Sequence, residues 1–545
     1  MANGNELSRG TMLRSILHQP RFISSIASRP VLVVAVIAAT ISLLSFLYFF
    51  SNGMTNVYGD GVAHVNIARK VVDSPDSSLW RRYIQIGSPW LPLQTVLMLP
   101  LVANDLMWRT GAAGSIVSMI SLIIASVFLY LLARSFYRSE DGIANKALPA
   151  VSVGILLFNP SVLYLQSTPM SELLFMAALA AAVYTLQRWM NDQSLKHLAL
   201  AASIMTVATL TRYEAWAVAA LSVPVVTLTT IGKWPAKLKS GAMYSALVAI
   251  GPIYWLWHNR AIYGNALEFL TGPNSARGLY LQNRANLGWS AVFAGHPLLD
   301  VLIIATAIAV CAGPFVLPLG IAGFVSSLLK KKKTMTLKWP VLLFIVPFLF
   351  HVFSLYRGEI QIFPLSAFGL LNVRYGLPHL LGIALFAPAF VTLCKGKSIR
   401  WAIAGVCLIV VLQYSYLISD GVRQLAVYQE GYRNGINSKP ARERAEVASF
   451  LRDHPPSQMT LMHTGALGPV VPQGDMRFSK VIHEGTARWY QLDDGVPEDI
   501  STVVLQQDDP LDLRLRASPT LSSELASRFQ EQLAVGNIRV LVRKN

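Results

Sequence analysis

Apolar runs long enough to cross a bilayer recur from residue 31 to about residue 418, and no soluble architecture accommodates such a series. A hydrocarbon core of about 30 Å demands roughly 20 apolar residues per straight helix, with every backbone group bonded inside the span. Eleven segments meet or approach that demand: 31–50, 112–133, 148–165, 170–187, 197–211, 213–231, 241–258, 300–329, 340–356, 372–393 and 401–418. The fold class expected is therefore a polytopic α-helical membrane protein of about eleven transmembrane helices. Composition agrees, with 53% apolar and 14% charged residues, and excludes a secreted disulfide scaffold, a collagenous chain and a disordered one. Cys311, Cys394 and Cys407 lie in or beside apolar segments without metal-ligand or redox spacing, so packing is their expected role.

Charge sets the orientation. Arg9, Arg14, Arg21 and Arg29 precede the first run, which places residues 1–30 in the cytoplasm and makes 31–50 an uncleaved span. The segment 88–103 is apolar but short and carries three prolines. If it only dips into the outer interface, strict alternation puts the basic connectors 134–146, 188–196, 233–239, 330–338 and 395–400 on one side. With the N-terminal segment these hold 20 Lys and Arg against four acids, which is +16 of the chain's +17. A full span at 88–103 would invert every later loop and break this pattern. The basic surplus is thus explained by topology, and no nucleic-acid partner is expected.

The outer side then holds a loop at 51–111, turns near 166–170 and 212, a loop at 259–299, a turn at 357–371 and a tail at 419–545. The tail alternates helical and strand-like patterns ("ARERAEVASFLRDH", "QMTLMH", "RFSKVIH", "SELASRFQEQLAV" as a second helix, "IRVLV") and reads as a small soluble α/β domain. The cytoplasmic loops are too short for a domain, and neither dinucleotide nor P-loop fingerprints occur. Chemistry is expected to face outward, in the membrane domain 31–418.

Several polar residues need a reason to be where they are. Asp60 sits between two glycines ahead of "VAHVNIARKVV", where it serves either as a helix cap or as a working carboxylate; His64 follows one turn later, as a solvated surface residue or a site residue. Arg81 stands among Trp80, Arg82 and Tyr83, an interfacial anchor or a phosphate contact. Glu172, Arg212 and Glu214 lie inside or at the outer ends of spans, where an ionisable group costs on the order of 2.5–3.5 kcal/mol and faces a cavity or a partner. Arg212 and Glu214 are two apart and need not pair with each other. Arg357 and Glu359 occupy an outer turn, and Arg374 opens a span with Tyr375, Pro378 and His379, free to grip a phosphate or to snorkel. Arg260, Arg277 and Arg284 belong to the 259–299 loop, in no specific motif.

In their order, "YGDGVAHVNIARKV", "SPWLPL", "STPMSELLF", "TRYEAW" and "RYGLPHLLG", followed by an outer tail, resemble the GT-C class of polytopic glycosyltransferases, relatives of the protein mannosyltransferases and the lipid A aminoarabinose transferases. The resemblance implies a polyprenyl-phosphate-linked sugar donor, consumed at the outer face of a bacterial plasma membrane, with an acidic residue of the first outer loop as base. Asp60 matches that residue. Many relatives carry two adjacent acids there, whereas this chain has Asp60–Gly61, so a divalent metal stays an open expectation and no other cofactor is implied. Phosphate is already a competent leaving group, so one carboxylate and nearby basic groups suffice. The expectation is an inverting transfer to a hydroxyl of a glycan, lipid or protein acceptor. Asp60 would be the base, and Arg374, Arg212 and Arg81 would hold the donor phosphate. His64, Glu172, Glu214 and Arg357 are further candidates, and the tail would orient the acceptor. A transporter or flippase, favoured by a break at Gly313–Pro314, and a polymerase or ligase of lipid-linked glycans are the alternatives.

Overall fold

The computed structural model describes residues 28–138, 140, 142–283, 294–329, 339–362, 372–394, 396–418 and 427–544. The N-terminal arginines Arg9, Arg14 and Arg21, the lysine connector 330–338, Lys395 and Arg284 lie outside the described residues. The protein is a polytopic helical membrane protein. Among the described residues six helices are long and apolar enough to cross a bilayer: Arg29–Ser51, Ala112–Phe136, Glu172–Asp192, Trp339–Tyr356, Val373–Leu393 and Ser398–Tyr416. A further apolar pair, Pro297–Ala312 and Val316–Leu328, is bent by 107° at its break, the geometry of a broken span or a re-entrant loop.

The remaining expected spans fall on shorter or broken helices. Ile143–Leu157 stops ahead of Asn159, whose side chain accepts from the N–H groups of Ser161 and Val162 and starts a second short helix at Pro160. Leu195–Thr209 and Glu214–Thr229 have 15 and 16 residues. The 241–258 run straddles two helices, Trp234–Val248 and Ile250–Tyr263. Within 88–103 only Leu93–Val102 is helical, ten residues or roughly 15 Å, half the thickness of the hydrocarbon core.

The bend at 313 is chemically complete. Gly313 adopts φ +91°, and a Cβ there would collide with Gln413. The Gln413 amide fills the space: its Oε1 accepts from the N–H of Phe315 (2.5 Å) and Val316 (2.7 Å), and its Nε2 donates to the Ala312 carbonyl (2.5 Å). Backbone groups freed by a broken span must find such partners inside a membrane protein.

Glu172–Asp192 is the central, nearly enclosed helix, packed against Ala112–Phe136 and Leu195–Thr209. Its run of small residues (Ala177, Ala178, Ala180, Ala181, Ala182) permits the close approach on which helix packing in bilayers depends. The turn at 166–169 that precedes it wedges Pro169 against Gly114, where any Cβ would lie 2.4 Å from the proline ring.

The chain ends in a five-stranded mixed sheet of order β2-β1-β3-β5-β4, with β1 Met459–Met462, β2 Val481–Ile482, β3 Ile500–Gln506, β4 Phe529–Val535 and β5 Ile538–Arg543. β1 runs parallel to β2 and β3, and β5 antiparallel to β3 and β4. The expected second helix "SELASRFQEQLAV" is corrected here. The helix ends at Arg528, and Phe529–Val535 forms a strand, because Gly536 at φ +58° and Asn537 close a two-residue hairpin onto β5. This sheet unit shares one hydrophobic core with the first outer loop: Val65, Ala68, Met98, Val102 and Trp108 pack with Val447, Leu451, Met462, Val470 and Phe478.

Candidate functional site

The helix Gly59–Val72 opens immediately after the first span, and Asp60 lies in its first turn. Asp60 is no cap: Tyr58 holds the N-cap position, and no side chain caps the end. The carboxylate turns sideways instead, its Oδ2 accepting from Nη2 of Arg374. A negative charge in a first helical turn also gains from the helix dipole.

Arg374 enters from Val373–His379, a 3₁₀ segment. Ahead of it Asn372 adopts φ +61°, a left-handed conformation that asparagine tolerates better than most residues. The Asn372 side chain accepts from Nη1 of Arg374 (2.7 Å) and donates to the Gln361 carbonyl (2.7 Å), while its backbone N–H donates to Glu430 (2.9 Å). Nη1 of Arg374 donates to the Tyr58 hydroxyl as well (2.9 Å), and Nε donates to Oε1 of Glu172 (2.8 Å). The same Glu172 oxygen accepts from Nη1 of Arg212 (2.9 Å). Arg212 in turn pairs with Glu214 (2.9 Å), so these two residues do bond to each other. Nε2 of His351 meets Glu214 at 2.9 Å, and its Nδ1 meets Nε2 of His379 at 3.3 Å. One continuous polar chain thus runs from Asp60 through Arg374, Glu172, Arg212 and Glu214 to two buried histidines.

A cavity of about 550 Å³ opens on this chain. Asp60, His64, Arg212, Glu214 and Arg374 form its polar wall, and Trp90, Tyr213, Trp216, Phe269 and Tyr375 supply aromatic faces. Asp60 keeps 38% of its side chain exposed, whereas Glu172 keeps none and Glu214 4%. His64 is not a solvated surface residue: it is 3% exposed, with its ring 4.9 Å from that of Trp90. Burial holds its pKa down at about 4, so the imidazole is neutral at pH 7.

Arg81 and Arg357 stay outside. Arg81 sits on the short helix Leu79–Tyr83 and does not line the cavity; Arg357 is 44% exposed and pairs with Glu359 (3.1 Å), which does line it. Three contributors escaped the sequence reading. Tyr58 directly precedes the motif that holds Asp60. His351 was signalled by a lone imidazole in the apolar "FLFHVF". Glu430, buried behind Arg374, has its carboxyl pushed up by burial to about 7, and no local pattern marked it.

A divalent cation does not fit this donor set. Asp60 and Glu172 are both bound to the Arg374 guanidinium, and among the described residues no three His, Cys, Asp or Glu side chains form a metal-holding group.

No protein-family model and no curated protein matches the sequence. Among solved structures, the chain is similar to ArnT from Cupriavidus metallidurans bound to undecaprenyl phosphate, with TM-score 0.54 and 12% identity over 93% of this chain and 97% of that one. It is similar to the apo state of the same protein at TM-score 0.52 and 13% identity, again over 93% and 97%. A weaker likeness, TM-score 0.48 and 12% identity over 86% and 67%, is to the Archaeoglobus fulgidus oligosaccharyltransferase in complex with Zn and sulfate. The likeness that the sequence motifs suggested is found as a likeness of fold: over most of its length the chain shares the polytopic fold of that ArnT structure.

Proposed function

We propose that the protein is an inverting GT-C glycosyltransferase that moves a sugar from a polyprenyl-phosphate donor to an acceptor hydroxyl at the outer face of a bacterial plasma membrane. The observation that carries this reading is Asp60. It is the most accessible carboxylate of the polar chain, held at one oxygen by Arg374 and opening onto a cavity with aromatic walls. Aromatic faces suit the apolar faces of sugar rings. The fold likeness to a protein crystallised with undecaprenyl phosphate supports a lipid-linked donor.

In the reaction, Asp60 takes the proton of the acceptor hydroxyl as that oxygen bonds to the anomeric carbon. The bond from that carbon to the phosphate oxygen breaks, and its electron pair leaves on the phosphate. Direct displacement inverts the anomeric centre. Arg374 aims Asp60, and Glu172, fixed between two guanidinium groups, aims Arg374. Neutral His64 lends a polar edge to the wall without adding charge. Among the described residues the sheet unit contributes none to the cavity lining, so its part in acceptor recognition lies at the rim or acts through the first outer loop.

The test is transfer of labelled sugar from a panel of polyprenyl-phosphate sugars by the purified protein in lipid, wild type beside Asp60→Asn. The expected result is turnover by the wild type, as transfer or donor hydrolysis, that is lost in the variant while its melting temperature holds. Turnover that survives in Asp60→Asn would sink the assignment. The 107° bend at 312–316 is the observation that favours a transporter. Passage of lipid-linked glycans across vesicle membranes, without turnover of any donor, would replace the transferase by that reading.

A further inference from the structure

Two of the groups that hold Arg374 rest on a third that lies outside the cavity. Nη1 of Arg374 donates to the Tyr58 hydroxyl and to Oδ1 of Asn372. The backbone N–H of Asn372, at the left-handed turn that opens the Arg374 segment, donates to Oε1 of Glu430 (2.9 Å). The Tyr58 hydroxyl faces the same carboxyl. Glu430 is 9% exposed and does not line the cavity, so it has no route to the reacting atoms.

Glu430 belongs to the helix Val427–Tyr432, with which the described part of the tail begins. This helix is seated on the membrane domain without slack. A Cβ at Gly431 would stand 2.2 Å from the Tyr164 hydroxyl, and one at Gly435, in the turn that follows, 2.0 Å from the carbonyl oxygen of Val57. Val57 immediately precedes Tyr58, so the two glycines let the segment lie directly against the chain that delivers Asp60. Glu430 meets the chain that delivers Arg374. Asp60 and Arg374 are 314 residues apart, and one short stretch of the tail braces both. The carboxyl is built into this brace as an acceptor. Its Oε1 is spent on Asn372, whereas Oε2 is buried without a hydrogen-bond partner, and Glu430 forms no ion pair among the described residues. A carboxylate held for its charge would have both oxygens served.

We propose that Glu430 is a positioning residue for the transfer reaction: by accepting from Asn372 it fixes the turn that aims Arg374 at Asp60, and the tail thereby acts on the base from behind. The proposal rests on the transferase reading above. It gives the tail a part in the chemical step that recognition of an acceptor does not require.

The experiment follows turnover by the full chain in lipid nanodiscs, with the labelled polyprenyl-phosphate sugar that the wild type consumes fastest, and amide hydrogen exchange at Asn372 on the same samples. Glu430→Leu removes the acceptor at similar volume, Glu430→Asp keeps the charge but withdraws it from reach, and Glu430→Gln keeps an oxygen in place. Glu430→Leu is expected to lower kcat at least about tenfold, within the roughly hundredfold that a misplacement of about 1 Å costs. Donor KM should stay within about twofold of wild type, because the cavity lining is untouched. Exchange at Asn372 should speed up at least about tenfold. Glu430→Asp is expected to follow the leucine variant, and stands in for it should that variant not survive purification. Glu430→Gln should recover most of the kcat and of the protection. Unchanged kcat in Glu430→Leu and Glu430→Asp overturns the proposal and leaves the transferase reading standing, as does a change confined to KM. A loss in Glu430→Gln as deep as in Glu430→Leu would assign the effect to charge and overturn the acceptor role. A wild type that turns over no donor removes the transferase reading, and the proposal with it.

Discussion

Glu172 presents a single oxygen to two guanidinium groups, and it does so with none of its side chain exposed. A buried charge is tolerable only when paired, and loss of one partner leaves the others uncompensated. Arg374→Ala is therefore expected to destabilise the protein by about 3–5 kcal/mol, because Glu172 and Asp60 lose a shared cation at once. Thermal unfolding in detergent reads this directly, and a shift under about 1 kcal/mol would mean that water or a rearranged Arg212 takes over. His64 makes a second prediction, through pH. Its folded pKa of about 4 lies below the ordinary 6.5, so the native state refuses a proton that the unfolded chain accepts. The stability it contributes is fully present above about pH 6.5 and is lost as pH falls toward 4, at up to about 1.4 kcal/mol per pH unit. His64→Gln should flatten that part of the stability–pH curve; an unchanged slope between pH 6.5 and 4.5 would place the titration elsewhere.

At the scale of elements, the helix Gly59–Val72 carries Asp60 on one side and is gripped by the sheet unit on the other. Nδ2 of Asn66 donates to the Gly468 carbonyl (3.1 Å), Lys70 reaches Thr464 (2.6 Å), and Nε1 of Trp108 donates to Oδ1 of Asn66 (2.9 Å) over the shared apolar core. Removal of residues 439–545 would uncover Val65, Met98 and Trp108 together. The expected outcome is rapid proteolysis within 51–111 and loss of donor turnover, although no described residue of the sheet unit lines the cavity. A truncated protein with a protease-resistant first loop would return the unit to acceptor recognition alone. The sequence made much of this legible and some of it not. "VAHVNIARKVV" carries the helix in its own periodicity, and ionisable residues at membrane depth announced that Glu172, Arg212, Glu214 and Arg374 needed partners. Which partner each would take was not readable, because Glu172 and Arg374 stand 202 residues apart and no local pattern encodes that meeting. The hairpin at Gly536–Asn537 was readable from its turn residues, but the helical spacing of the preceding segment outweighed it. Asp60 and His64 point the other way: both bland readings, cap and surface residue, fail because the neighbouring wall comes from Trp90 and Arg374, remote in sequence.

For the whole molecule, the open question is how helices of unequal length share one bilayer. Leu195–Thr209 and Glu214–Thr229, at 15 and 16 residues, rise only about 22–24 Å, short of a core of about 30 Å. Short spans are accommodated by local thinning and by flanking residues that snorkel to the interface. Charge asymmetry predicts that they cross: each is followed or preceded by a basic connector, and eleven crossings would keep all such connectors on one face. Single cysteines in a variant without Cys311, Cys394 and Cys407 test this, probed with a membrane-impermeant thiol reagent on intact cells. Lys146→Cys and Lys239→Cys, both exposed positions in basic connectors, are expected to stay unlabelled until the membrane is opened, whereas exposed Ser457→Cys in the sheet unit should label at once. Labelling of the connectors from outside, with protection of Ser457→Cys, would make Leu93–Val102 part of a full crossing. A mixed pattern would remove one of the short helices from the count. The result bears on chemistry as well as topology, because Asp60 and its cavity must share a side with Ser457 if the sheet unit that clamps the Asp60 helix is to stand at the outer face.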